Sequence, residues 1–146
     1  MIYIFDIDGT LADLSHRLHC IKSIPADWGR FYAACWEDTP ITDVIYFARL
    51  LHDVGHRIAL ITGRSDECAQ LTNEWLRVHS VPHSEMYMRL HGDHRPDNLV
   101  KGELLERLIA DFPDEQIAGV FEDRKQVVDM YRAKGLRVFQ VAEGNF

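Results

Sequence analysis

Short apolar runs rich in β-branched and aromatic residues recur along this chain, with longer amphipathic stretches between most of them. The first, Ile2-Tyr3-Ile4-Phe5, is closed by a turn at Asp8-Gly9. Others occupy 57–61, ending at Thr62-Gly63, then 86–88, then 117–121, ending in Glu122-Asp123, and finally 136–139. Runs of this length bounded by turn residues predict buried strands. Between them, 43–54 places Val44, Phe47, Leu50, Leu51 and Val54 on one helical face, and 68–78 does so with Leu71, Trp75 and Val78. The stretch 99–109 carries Leu104, Leu105, Leu108 and Ile109, and 125–134 carries Val127, Val128 and Tyr131 before a terminating Gly135. Strands alternating with helices predict an α/β fold, a Rossmann-like parallel sheet of about five strands covered by helices on both faces. In such sheets the chemistry sits beyond the carboxyl ends of the strands.

The 146 residues suit one compact domain. A net charge of −7 argues against a protein that holds long duplex nucleic acid by counterion release, although a strand end gripped by a few arginines stays compatible. Cys20, Cys35 and Cys68 form no C-x-x-C pair, which supports neither a zinc knuckle nor a disulfide framework and suits reduced thiols in the cytoplasm. The apolar start is too short for a signal peptide and no run approaches membrane-spanning length, so no membrane association is expected. The stretch 13–40 breaks the rhythm with Pro25, Gly29, Pro40 and several aromatics, and reads as a small helical cap inserted over the site. Trp28, Phe31, Tyr32 and Trp36 lie at helical spacing and are expected to pack the cap on the body rather than stack a nucleobase. His16, His19, His91 and His94 follow no metal-ligand pattern and read as surface or substrate-contact residues.

The first strand delivers Asp6-Ile7-Asp8-Gly9-Thr10, so two carboxylates arrive at one tip, and the fourth ends in Glu122-Asp123. If those tips are neighbours, the acids repel one another unless protonated or neutralised. A hard divalent cation such as Mg²⁺ removes the conflict, because it takes oxygen ligands and keeps waters that phosphate oxygens can replace. Basic and polar partners are at hand: Thr62-Gly63-Arg64 closes the second strand, and Lys101 lies in the first turns of a helix, where it can point back to the tips. Simpler readings compete. Asp97 after Pro96 has the look of a helix N-cap, Lys101 alone would be a surface lysine, and Arg124 has a helical acid, Asp129, within reach.

Asp6-Ile7-Asp8-Gly9-Thr10, Thr62, Lys101 and Glu122-Asp123, in that order, resemble the motifs of the haloacid dehalogenase (HAD) superfamily of phosphatases. The chain is more closely similar to the 3′-phosphatase domain of phage-type polynucleotide kinase–phosphatases. That likeness is carried by 5–12 with Arg17, by Gly92-Asp93-x-Arg95-x-Asp97 before Lys101, by Glu122-Asp123-Arg124-x-Gln126-Val127-Val128, and by the 140–146 tail. No G-x-x-x-x-G-K-[ST] loop is present, so the kinase half is lacking from the sequence, and Glu122 stands where the pattern often has Asp.

The resemblance implies a Mg²⁺-dependent phosphomonoester hydrolase acting on a nucleic-acid 3′-phosphate end or a nucleotide. Asp6 would be the nucleophile and Asp8 the general acid/base, its pKa brought toward working pH by the crowding of acids. Asp6, the Asp8 backbone carbonyl and Asp123 would hold the metal, with Glu122 acting directly or through water. Thr62, Gly63 and Lys101 would hold phosphoryl oxygens; Arg17, Arg64 and Arg89 would grip the substrate phosphate, with Asp97 and Arg124 as further binding residues. A small-molecule or 5′-nucleotide phosphatase, a phosphotransferase, and a non-catalytic module pairing with a separate kinase partner are the competing readings.

Overall fold

The computed structural model describes residues 1–146. Strand β1 (Ile2–Phe5) opens the chain, and a short β2 (Ala12–Asp13) follows its loop. A 3-10 turn at Ser15–Arg17 leads to helices α1 (His19–Lys22) and α2 (Trp28–Ala33), another 3-10 turn at Cys35–Glu37, and β3 (Thr39–Pro40). Then come α3 (Thr42–Asp53), β4 (Arg57–Ser65), α4 (Ala69–Val78), β5 (Glu85–Arg89), α5 (Asp97–Asp111), β6 (Ile117–Glu122), α6 (Lys125–Ala133) and β7 (Val138–Gln140). Five strands form one parallel sheet in the order β5-β4-β1-β6-β7. The chain steps from β1 to β4 and outward to β5, then returns to β6 on the other side of β1. The strand order therefore reverses at the β1/β6 crevice, where α/β sheets bind ligands.

Period-two alternation explains why both faces are covered. Ile2 and Ile4 of β1, with Ala59 and Ile61 of β4, pack against Leu104, Leu105 and Leu108 of α5 and Val127 and Tyr131 of α6. Phe5, Ile58 and Leu60 face the opposite way, against Val44, Ile45 and Ala48 of α3 and Trp75 and Leu76 of α4.

Two helix faces differ from expectation. The inward residues of α3 are Val44, Ile45 and Ala48, whereas Phe47, Leu50 and Val54 are exposed and Leu51 only partly buried. On α4 the buried residues are Thr72, Trp75 and Leu76, and Val78 is exposed. On α3 the small Ala48 lets the helix approach β4 closely, whereas on α4 Thr72 turns inward because its hydroxyl accepts from Arg64 Nη1 at 3.1 Å. Ile109 of α5 is likewise half exposed. Strand β7 starts at Val138, and Leu136 packs against the core beside it. Strand β4 runs past the expected turn to Ser65, with its pairing to β5 jumping from Thr62↔Met88 to Ser65↔Arg89. This irregularity pushes Gly63 and Arg64 out of the ladder, as bulges beside functional sites often do.

Strands β2 and β3 pair antiparallel and bring both ends of the intervening segment together beside the tip of β1. Within it, Leu14, Cys20 and Phe31 bury one another in a small core. Of the four aromatics expected to pack, Phe31 is buried, whereas Trp28 is 45% and Trp36 56% exposed. Trp36 lies beyond α2 in a 3-10 turn and so leaves the helical face. No helix is long and apolar enough to cross a membrane.

Candidate active site

Asp6 is the first residue past β1, and its N–H bonds the Phe121 carbonyl at 3.0 Å, which seats it between β1 and β6. Glu122 and Asp123 end β6 next to it. Lys101 rises from the second turn of α5 with its ammonium 2.8 Å from Asp6 Oδ1, 2.8 Å from Glu122 Oε2 and 3.5 Å from Asp97 Oδ2. All five groups are buried. The other Glu122 oxygen accepts the N–H groups of Asp123 and Arg124, both at 3.2 Å. Glu122 thus has both oxygens engaged by the protein, one of them by Lys101.

Asp123 differs: its Oδ1 receives only a long 3.4 Å contact from the Thr10 hydroxyl, and its buried Oδ2 has no partner. Gly9 makes room for that carboxylate. Its φ is +86°, and a β-carbon there would run into Asp123. Gly9→Ala should therefore combine backbone strain with displacement of Asp123, costing roughly 1–3 kcal/mol in urea unfolding and reducing phosphate release at least tenfold. An unchanged midpoint and rate would show that the cradle does not matter.

Oxygens of Asp6, Glu122 and Asp123 lie within 4.8 Å of one another. The electrostatics show the strain of this grouping. Burial, then the Glu122 charge, pushes the Asp6 carboxyl well above its usual range against the pull of Lys101. Burial and then Asp6 push Asp123 up to about 7. Glu122 is also raised, chiefly by burial. Lys101 stays charged, because Asp6, Asp97 and Glu122 outweigh the burial that would neutralise it. One ammonium does not balance these acids. Hard oxygen donors, an unpartnered buried oxygen and a glycine cradle together fit a divalent cation.

Asp8 stands in the opposite environment. Its Oδ1 accepts from Arg17 Nη2 at 2.7 Å and from Arg64 Nη2 and Nε at 2.7 and 3.0 Å. Burial works to raise the Asp8 pKa, but Arg64 and Arg17 outweigh it and hold the carboxyl below its usual range. This corrects the expectation that crowding acids lift Asp8: its near neighbours are cations. It also corrects the expected role of those arginines. Arg17 and Arg64 are buried behind Asp8, hold it in place and do not line the cavity.

Asp38 completes the arrangement and was not foreseen. It is buried and accepts from Arg17 Nε and Nη2 at 2.8 and 2.7 Å, from Arg64 Nη2 at 2.8 Å, and contacts His16 at 2.7 Å. The Trp75 indole N–H bonds its carbonyl at 2.8 Å, fixing it to α4. A single acid after Glu37 in an irregular stretch carries no local signal, so only the fold reveals it.

Arg89 lines the cavity, yet its donors go to the carbonyls of Gly63, Asp93 and Arg95 and to Asp97 Oδ1 at 2.8–3.1 Å. It therefore clamps the loop before α5 rather than presenting a free phosphate grip. Asp97 begins α5 as expected but makes no side-chain cap. It sits among Lys101, Arg89 and Arg124, and these cations, Lys101 foremost, overcome burial and keep it ionised. Gly63 is required by this approach, since a β-carbon would collide with Asp97 Oδ1. The Thr62 hydroxyl accepts the Arg64 N–H at 3.1 Å and keeps its own proton to donate. Arg124 is on the wall with its side chain 31% exposed, 3.5 Å from Asp97 rather than paired with Asp129, which bonds Lys125.

A cavity of about 730 Å³ opens over these groups, lined by Asp6, Asp8, Lys101 and Asp123 at its floor and by Trp28 and Tyr32 of α2 on its wall.

The whole chain, residues 1–146, matches the family model of the polynucleotide kinase PNKP phosphatase domain. The fold superposes on a chain of the Pnkp1/Rnl/Hen1 RNA repair complex with a TM-score of 0.83 and 27% identity, over 99% of this chain and 43% of that one. This chain therefore spans less than half the length of that relative. The class C acid phosphatase from Bacillus anthracis shares the fold at a TM-score of 0.69 and 16% identity, covering 99% of this chain and 67% of that one. L-2-haloacid dehalogenase from Xanthobacter autotrophicus shares it at 0.63 and 12%, covering 96% and 76%. On its sheet, its strand-tip carboxylates and the family match along its length, the chain belongs to the HAD-type polynucleotide kinase PNKP phosphatase domains and is a phosphatase.

Proposed function

We propose that this phosphatase removes a terminal 3′-phosphate from a polynucleotide end through a phosphoryl group carried on Asp6. The observation that carries the reading is the contrast between two carboxylates two residues apart. Asp6 is held by Lys101 and faces the cavity beside an unpartnered Asp123 oxygen, while Asp8 is held charged by two arginines.

In the first half-reaction an Asp6 oxygen forms a bond to phosphorus, and the bond from phosphorus to the ester oxygen breaks. Lys101 balances charge at the attacking carboxylate and the phosphoryl oxygens, while the Thr62 hydroxyl and the Gly63 amide offer donors to those oxygens. The departing oxygen takes a proton from Asp8. The free protein holds Asp8 as the carboxylate, so that proton arrives with the substrate's phosphate monoanion, whose second ionisation lies near pH ~6. In the second half-reaction the charged Asp8 accepts a proton from water as the water oxygen attacks phosphorus and the acyl–phosphate bond opens. Asp6, Asp123 and the Asp8 carbonyl would hold a Mg²⁺ ion, with Glu122 orienting Lys101 and ordering the loop behind them. That ion, when bound, supplies positive charge against phosphoryl oxygens. Arg124, on the cavity wall, suits the next phosphodiester of the strand. The RNA repair complex that holds the similar chain adds support for a nucleic-acid substrate and for assembly with other repair proteins.

The test is phosphate release from a 3′-phosphorylated oligonucleotide with Mg²⁺ and with chelator, beside 3′- and 5′-mononucleotides. Metal-dependent release, fastest on the oligonucleotide, is expected. Preference for a 5′-mononucleotide would replace the polynucleotide reading with a small-molecule one, and inertness towards every phosphoester would favour a non-catalytic module.

A further inference from the structure

Trp28 occupies an unusual place for a tryptophan. It begins α2, whose start is set by the Asp27 side chain accepting the Arg30 N–H at 3.0 Å. Its indole stands edge-on to Phe31, with centroids 5.7 Å apart, and lies nearly parallel to Tyr32, at 6.0 Å and 30°. Phe31 is buried, and the guanidinium of Arg17 lies 4.2 Å above its ring, so the platform is tied to the group that holds Asp8. The small core beneath closes on Leu14, Cys20 and Phe31 without Trp28, which stays 45% exposed. Packing on Phe31 and Tyr32 therefore covers only part of the indole. Trp28 and Tyr32 line the same cavity as Asp6 and Lys101. The cavity volume of about 730 Å³ lies in the range that encloses whole nucleotide-sized ligands, far more than a phosphate group requires.

We propose that Trp28, backed by Tyr32, is a stacking platform for the terminal nucleobase of the substrate. The proposal rests on the polynucleotide reading above and deepens it. A flat ring held by its neighbours, partly exposed and lining the cavity, offers a π-surface to any base. Such a platform takes a nucleobase without choosing among the four, because stacking is tolerant of sequence. It makes a base-bearing end a better substrate than a bare phosphoester while leaving the reacting groups untouched.

The experiment compares wild type, Trp28→Ala and Trp28→Phe on two oligonucleotides with a 3′-phosphate, one carrying a terminal base and one abasic at that residue. A second readout needs no turnover: quenching of tryptophan fluorescence by adenosine 3′-monophosphate. For the base-bearing end, Trp28→Ala should raise KM about tenfold with kcat nearly unchanged, and Trp28→Phe should restore most of the loss. The abasic end should bind weakly to wild type and respond little to either change. Quenching should be lost in Trp28→Phe, which keeps a ring but removes the reporting indole. Equal losses on both oligonucleotides, or none on either, would overturn the platform, as would quenching that persists without Trp28. If wild type spares every 3′-phosphate end while quenching still depends on Trp28, the functional reading fails and the platform stands.

Discussion

Asp6→Asn should leave a folded protein whose phosphate release has fallen by at least about four orders of magnitude, the scale seen when a covalent nucleophile is removed. Asparagine matches the shape of Asp6 and keeps the backbone bond to Phe121. Lys101 retains Glu122 at 2.8 Å and Asp97 at 3.5 Å as charged partners. Removing one acid also relieves Asp123, whose elevation to about 7 owes most to burial and next to the Asp6 charge. The thermal midpoint should therefore hold or rise while activity vanishes. Residual turnover above a hundredth of wild type would mean that another group attacks phosphorus.

Asp38→Ala should be nearly as damaging for a different reason. Arg17 and Arg64 are fully buried, and between them they have two carboxylate partners, Asp8 and Asp38. Without Asp38, two buried guanidinium groups share one carboxylate. Breaking a buried ion pair from one side costs roughly 3–5 kcal/mol. Urea unfolding should show a loss of that order. The arginines should also turn more fully onto Asp8, fixing it as a carboxylate away from the departing oxygen, so kcat should drop by about a hundredfold or more. Asp38→Asn keeps the acceptor oxygen and should recover part of the stability but little of the rate. A stable, fully active Asp38→Ala protein would show that the arginines position Asp8 without it.

The five strands of the parallel sheet were legible because a buried strand writes itself as a short β-branched run, whereas their order across the sheet has no local signature. Ile2–Phe5, Ile58–Ile61 and Ile117–Phe121 face apolar layers on both sides. The strand-tip acids were legible for the same reason, since a charge directly after such a run has few places to go but the sheet's end. Helix faces were less so. Burial of Ala48 and Thr72 and exposure of Phe47, Leu50 and Val78 depend on tertiary neighbours, for Thr72 on the Arg64 side chain it bonds. Side-chain partners across the fold were hidden most. Asp38 lies 21 residues from Arg17 and 26 from Arg64, so no local pattern joins them. Arg89 and the two buried arginines were recognisable as cations near the site, but whether a cation meets substrate or a protein carboxylate is decided by tertiary contacts.

The central claim is that the phosphoryl group passes through Asp6. The measurement that tests it most directly uses an oligonucleotide labelled in its 3′-phosphate, mixed with enzyme and Mg²⁺ and quenched in acid within the first turnover. The label should remain on the protein, be released by hydroxylamine as an acyl phosphate is, and map to the peptide bearing Asp6. Label on any other residue, or phosphate formed through a full turnover with none on the protein, would contradict the account.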